Sequence, residues 1–120
     1  MRTVPLNESG SVRLDGSGNG TVRIGPDEPA ARWLPTVASV SALTAAPVVN
    51  EAQCLFYAGQ APVQQYFVDG TFSGSSGDSS DRITGRVISR TQLPYIWAVW
   101  TGGDPGAQAT LSVSGTKEIP

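Results

Sequence analysis

The sequence predicts an all-β fold, an antiparallel β-sandwich of jelly-roll type with seven or eight short strands. The first observation is a strict alternation of apolar and polar residues after position 106, which is typical of a strand with one buried face. The apolar positions are Ala107, Ala109, Leu111 and Val113. Turn-forming residues recur about every ten positions, and no segment has the i, i+3, i+4, i+7 apolar spacing of an amphipathic helix.

Composition limits the functions that this chain can perform. Its 120 residues are enough for one domain with one core, and only 15% of them are charged. The net charge of −2 offers no electrostatic footprint for nucleic acid or an anionic membrane, so we expect neither as a partner. The chain has no histidine, which excludes Ser-His-Asp and Cys-His catalysis. We therefore expect a protein that is not an enzyme and that holds no metal or cofactor.

Near the N-terminus, two short segments at 11–16 and 21–26 each place an arginine between apolar residues. The glycine-rich stretch between them has the composition of a turn. Two interpretations remain open: the segments pair as strands, or residues 1–16 form an extended arm ahead of a single sandwich domain at 17–120. The first residues show no apolar signal-peptide core, so we expect synthesis in a cytoplasm without export.

The middle of the chain predicts three strands, at 32–43, 52–58 and 64–68. Pro35 lacks an amide hydrogen and therefore marks a bulge or an edge within the first of them. In the second, Cys54 and Phe56 are expected to face the core. We expect Cys54, the single cysteine, to be a buried and unreactive thiol.

The last third predicts an exposed loop at 73–81, a strand at 82–90, and a β-hairpin whose arms at 95–101 and 107–116 are joined by 102–106. The glycines and the proline of that joint cannot continue either strand. Arg82, Arg86 and Arg90 would then share one strand face. Asp69, Asp78 and Asp81 carry oxygens suited to calcium, but their spacing matches no calcium loop, and we favour a solvated loop without metal.

The tryptophans predict a surface for binding. Trp97 and Trp100 are separated by an odd number of residues and must lie on opposite faces of their strand, one in the core and one at the surface. A surface tryptophan beside Tyr95 or Tyr57 could stack on a sugar or anchor a subunit contact, and we favour the subunit contact. The candidate interface residues are Val12, Leu14, Trp33, Tyr95, Trp97 and Trp100, the first two of them through a neighbouring subunit's sheet.

A serine-glycine loop, TFSGSSGDSSD at 71–81, precedes an arm that reads IWAVWTGG at 96–103 and a strand at 106–116. Together with GNGTVRIGP at 18–26, these stretches resemble small proteins encoded among the structural genes of tailed phages and prophages of actinobacteria. The likeness spans about residues 18–119.

The resemblance implies a virion component that works as assembled copies of a β-sandwich. Its expected partners are other virion proteins, major capsid or tail proteins, and further copies of the chain. A capsid-decorating or other head-surface position is favoured. The alternative is a tail or baseplate protein whose carbohydrate-binding module attaches to the host. No family active site accompanies the resemblance.

Overall fold

The computed structural model describes residues 2–43, 49–73 and 78–120, and these residues form eight β-strands. The strands are β1 (Arg2–Arg13), β2 (Gly20–Ile24), β3 (Arg32–Leu43), β4 (Ala52–Gly59), β5 (Phe67–Ser73), β6 (Asp78–Ser80), β7 (Tyr95–Thr101) and β8 (Gln108–Ile119). Sheet 1 has the order β1-β8-β3-β6, and sheet 2 has the order β2-β7-β4-β5. All neighbouring strands are antiparallel. The predicted all-β antiparallel sandwich is confirmed.

The chain passes repeatedly from one sheet to the other. Among the described strands, only β4 and β5 are consecutive in sequence and paired in the same sheet. At one side of the sandwich β1 packs beside β2, and at the other side β5 packs beside β6. No helix in the described part of the chain is long and apolar enough to cross a bilayer.

The core lies between the sheets and is built by period-two alternation on the long strands. On β8, Ala109, Leu111 and Val113 point inward and are almost fully buried, which confirms the predicted face of this strand. On β7 the corresponding inward residues are Ile96 and Trp100. Because each sheet presents one apolar face, packing the two faces together removes both from water.

The N-terminal segment differs from the expected arm. β1 pairs with β8 along its whole length, from Arg2 opposite Ile119 to Arg13 opposite Gln108. Leu6 and Leu14 belong to the domain's own core, at 2% and 3% exposure. The physical reason is that β8 is a central strand of twelve residues and needs a partner along both of its sides.

The glycine-rich stretch after β1 is anchored rather than loose. The Asp15 carboxylate accepts hydrogen bonds from the backbone N–H groups of Ser17 and Asn19, at 2.8 and 3.0 Å. These bonds lower the pKa of Asp15, the bond from Asn19 most. The segments at 11–16 and 21–26 do not pair with each other either, because β2 pairs with β7 in the other sheet.

The two arms of the predicted hairpin are strands, but they do not pair with each other. β7 lies in sheet 2 between β2 and β4, whereas β8 lies in sheet 1 between β1 and β3. The connection between them crosses the sandwich. It is fixed by the Asp104 carboxylate, which accepts 2.9 Å hydrogen bonds from the backbone N–H groups of Val49 and Asn50.

Two strands near the middle are as predicted. β3 covers 32–43, with a bulge between Pro35 and Val37. β4 buries Cys54 and Phe56 at 0% and 1% exposure.

Three other predictions are wrong. Residues 64–66 form a turn of 3₁₀-helix, so β5 begins only at Phe67. The segment 82–90 is no strand: 82–85 form turns, and Ile88 makes an isolated bridge to Trp33. Part of the predicted loop at 73–81 is strand β6, paired with β3, while 74–77 lie outside the described residues.

Candidate interaction surface: the aromatic outer face of sheet 2

A row of large side chains crosses the outer face of sheet 2. Residues directly opposite each other on neighbouring strands share a face and lie about 5 Å apart. In this row each residue is the register partner of the next. The members, in order from β2 to β5, are Arg23, Trp97, Tyr57 and Phe67. We call them the aromatic row.

The rings in and beside this row pack edge to face. Tyr57 and Phe67 have centroids 5.9 Å apart at 75°, and Tyr95 and Trp97 have centroids 5.8 Å apart at 76°. This T-shaped geometry is the favourable one for aromatic pairs. Leu55 and Val99, which are register partners, continue the apolar surface. The aromatic face is therefore defined as the aromatic row together with Leu55, Tyr95 and Val99.

Backbone contacts hold the rings in place. The indole Nε1 of Trp97 donates a 3.0 Å hydrogen bond to the carbonyl oxygen of Gly59. Tyr66 lies directly against Gly59, where a Cβ would come within 2.4 Å of the ring. Only glycine leaves room for this close approach. As a result the aromatic face is a fixed surface on which Phe67 is 38% exposed, Trp97 and Tyr95 are half-buried, and Tyr57 is buried at 9% exposure.

Arg23 covers part of this face. Its guanidinium carbon lies 4.4 Å from the centroid of the Tyr95 ring and 5.7 Å from that of Trp97. Both distances are within the range of cation–π attraction. Beside Arg23, where β1 and β2 approach each other, a hollow of about 500 Å³ opens, with Tyr95 and Ser9 among its lining residues.

The outer face of sheet 1 has different chemistry. Its two central cross-strand rows consist of small hydroxyl side chains. One row contains Ser9, Ser112, Ser39 and Ser79, and the next contains Ser11, Thr110 and Ser41. The hydroxyls of Ser11 and Thr110 lie 3.1 Å apart, within hydrogen-bond distance. We call this surface the hydroxyl face. It carries a depression of about 440 Å³.

The six interface candidates fall into two groups. Leu14, Trp33 and Trp100 lie in the core of the chain itself, at 3%, 5% and 0% exposure, and present no surface to a partner. Tyr95 and Trp97 lie together on the aromatic face, while Val12 is half-buried on β1 of sheet 1. Trp97 and Trp100 do occupy opposite faces of β7, which confirms the prediction from their spacing.

Sequence reasoning misses Phe67 and Arg23. The sequence places Phe67 inside a longer strand, whereas a bulge between Phe56 and Tyr57 sets the register that brings it to the row. The one available signal for Arg23 is its place between Val22 and Ile24, since the alternation turns it outward.

Of the three candidate aspartates, the side chains of Asp69 and Asp78 are engaged within the fold, and Asp81 is exposed. The Asp69 carboxylate accepts a 2.6 Å hydrogen bond from the Ser80 hydroxyl and lies 3.8 Å from Arg82. Asp78 accepts hydrogen bonds from the Thr71 hydroxyl and the Ser79 N–H, which lower its pKa, the Thr71 bond most. Within the described ranges, no three His, Cys, Asp or Glu side chains are grouped to hold a metal ion.

The prediction that three arginines share one strand face is wrong for the segment that the structure describes at 82–90. Arg82 and Arg90 lie on turns and Arg86 lies in the irregular segment between them, so no strand face carries the three. Arg86 donates to the backbone of Arg82, and Arg90 donates to the carbonyl oxygen of Asp27 at 2.9 Å. These arginines therefore fasten loops, and they form no shared basic surface.

Cys54 lies in the interior of sheet 2. Burial raises the pKa of its thiol to about 12, which keeps it protonated at neutral pH. Because the thiolate is the reactive form, this cysteine is a poor nucleophile in the folded chain.

Comparison with known proteins gives no family or relative. The chain matches no protein-family model, no curated protein and no solved structure.

Proposed function

We propose that this chain is a non-enzymatic structural component of a phage virion that binds other virion subunits through its aromatic face. A position on the capsid surface, as a decoration or other head-surface protein, is favoured. The observation that carries the proposal is the aromatic row, which crosses sheet 2 on the outside of the fold. Contiguous apolar surface on a small domain marks a site of interaction, and tryptophan, tyrosine and arginine dominate the energetics of protein contacts.

The size of the aromatic face supports assembly in many copies. Because sheet 2 has four strands about 4.8 Å apart and about 20 Å long, its whole outer side, which contains the aromatic face, has an area on the order of 400 Å². A stable pairwise complex buries about 800 Å² on each partner. One such contact is therefore weak alone, and it gains strength where many copies are held side by side on a particle.

The strand order supports a jelly-roll assignment. Eight strands in two four-stranded sheets, with nearly every connection crossing between them, follow the pattern of that architecture. Jelly rolls occur in viral capsid domains and in lectins, so this argument is one of fold analogy and favours both classes.

The alternative function is carbohydrate binding in a tail or baseplate protein that attaches to the host. The surface position of Tyr95 and Trp97 favours it, because sugar rings stack on exposed aromatic faces. Two features weigh against it. Arg23 already occupies the space over both rings, and the Trp97 N–H is used by the Gly59 carbonyl.

Purified particles test the proposal. Virions from a host that carries the gene should contain this chain, in hundreds of copies for a capsid position or a few dozen at most for a tail position. Virions that assemble and infect normally but contain none of it would overturn the proposal.

The aromatic face itself is tested in virions assembled with variant chains. Chains with Trp97→Ala should be lost from particles, whereas the matched control Ser39→Ala on the hydroxyl face should be incorporated normally. Binding to a glycan array that is lost on Trp97→Ala would favour the carbohydrate alternative.

A further inference from the structure

We infer that Arg23 forms a carboxylate-binding subsite on the aromatic face, and that the partner presents an aspartate or glutamate side chain next to apolar surface. The inference rests on the proposed function in one respect only, that the partner is a protein. It adds the chemistry by which that partner is recognised and the residue that recognises it.

Most of the other arginines are held by hydrogen bonds or ion pairs within the fold. Arg32 donates two bonds to Glu118, the shorter at 2.7 Å, and Arg13 donates to the Gly106 carbonyl at 3.1 Å. Arg82, Arg86 and Arg90 have the partners given above. Arg2, exposed at the start of β1, and Arg23 make no hydrogen bond or ion pair with another described residue, and of the two only Arg23 lies against aromatic rings.

The Arg23 guanidinium lies against aromatic rings rather than against hydrogen-bond acceptors. Neither ring contact is a hydrogen bond with a described acceptor, so the N–H groups of the guanidinium stay available to a partner. The guanidinium carbon lies 4.4 Å and 5.7 Å from two ring centroids, and these contacts reduce the conformational freedom that Arg23 would lose on binding. A fixed fork of donors fits the two oxygens of a carboxylate.

The positive charge of the aromatic face is complementary to the negative charge of a carboxylate. Every other member of the aromatic face is uncharged, so Arg23 gives this surface a single positive charge. In the adjoining hollow, the Glu8 carboxylate lies 3.5 Å from Lys117, and Arg90 donates to the Asp27 backbone. A partner that covers the aromatic face without supplying an acid would bury the Arg23 charge without compensation.

A displayed library of random dodecapeptides tests the inference even though the partner is unidentified. Selection on the native chain should enrich peptides in which an aspartate or glutamate stands beside apolar residues. Selection on the Arg23→Gln variant should still enrich peptides with apolar residues but should no longer enrich aspartate or glutamate. Arg13→Gln is the matched control, because it removes the same charge from the edge of sheet 1 and should leave the selected sequences unchanged.

A selected peptide then gives a quantitative test. Arg23→Gln should weaken its binding by about tenfold to a hundredfold, as expected for a hydrogen bond between charged groups. Replacing the peptide's acid by its amide should have the same effect, and the two changes together should cost little more than either one. Arg23→Lys, which keeps the charge but loses the fork, should restore only part of the affinity. Melting of each variant verifies that it is folded.

The inference is overturned if selected peptides show no acidic preference, or if Arg23→Gln selects the same acidic peptides as the native chain. Particles separate this failure from that of the proposed function. Normal incorporation of Arg23→Gln together with loss of Trp97→Ala would refute the carboxylate subsite and support the virion role.

Discussion

The outer face of sheet 1 is lined by serine and threonine hydroxyls, whereas the outer face of sheet 2 is lined by aromatic rings. Their inner faces are alike, since both bury apolar residues at every second position. β8 shows Thr110 and Ser112 to solvent, and β7 shows Tyr95 and Trp97. Burial of the inner pattern drives folding, whereas the outer faces are free to differ in chemistry. The difference between the outer faces is what the proposed binding role of the aromatic face predicts.

The largest expected effect on stability comes from deleting β1, the edge strand that contributes Ser9 and Ser11 to the hydroxyl face. Deleting residues 1–13 should abolish cooperative melting, because it removes buried Leu6 and leaves one side of β8 unpaired. Circular dichroism with temperature measures this. A truncated chain that melts at the original temperature would show that β1 is a detachable arm and that sheet 1 is complete without it.

Neighbouring residues of β8 sharpen the contrast between inside and outside. Leu111→Ala should lower the free energy of unfolding by about 2–5 kcal/mol, because Leu111 is fully buried. Ser112→Ala, its neighbour on the hydroxyl face, should change it by less than about 0.5 kcal/mol. Urea denaturation of both variants provides the comparison. A larger effect of Ser112→Ala than of Leu111→Ala would mean that the register of β8 is displaced by one residue.

Substituting one residue on each outer face compares how much the two surfaces contribute to the free energy of unfolding. Trp97→Ala should cost about 1–3 kcal/mol of unfolding free energy, because it removes the edge-to-face contact with Tyr95 and the hydrogen bond to Gly59. Ser39→Ala should cost less than about 0.5 kcal/mol. Denaturant titration measures both values. If Trp97→Ala is as mild as Ser39→Ala, the aromatic face contributes nothing to the isolated domain and serves binding alone.

The effect that is smallest near neutral pH, where it vanishes, comes from Cys54 on the inner side of sheet 2. Its pKa is raised from 9.0 to about 12, so below pH 9 both the folded and unfolded chains hold the proton. Above pH 9 the unfolded chain loses it first, and the free energy of unfolding should fall by about 1.4 kcal/mol per pH unit. Urea titrations at pH 8, 9 and 10 measure the slope. Cys54→Ala should remove that contribution, and an unchanged slope would contradict the assignment.

The sequence is sufficient to predict which residues point inward, because alternation is a local property. This holds for Leu111 on β8 and for Cys54 on β4. Strand pairing is harder, since it depends on residues distant in sequence. β7 and β8 are joined by a short turn-forming segment and still belong to different sheets. The true partner of β8 at one side is β1, about a hundred residues away, and nothing local to either strand indicates it.

The same limit applies to the candidate surface. The spacing of Trp97 and Trp100 correctly puts one of them outside. The aromatic row also requires the register between four strands and a bulge at Phe56, and these are set by packing of the whole domain. For that reason the contact of Arg23 with Trp97 cannot be predicted from local sequence.

The position of β7 and β8 has a consequence for synthesis. They are the last two of the eight strands to leave the ribosome, and each inserts between strands made much earlier. Sheet 2 cannot close before β7 has emerged and sheet 1 cannot close before β8 has emerged, so we expect the two sheets to form only after nearly all of these strands have been made. Trp97 and Tyr95 lie on β7 itself. A chain that terminates before this strand cannot display the aromatic face, and incomplete copies are thereby kept out of any assembly that depends on it.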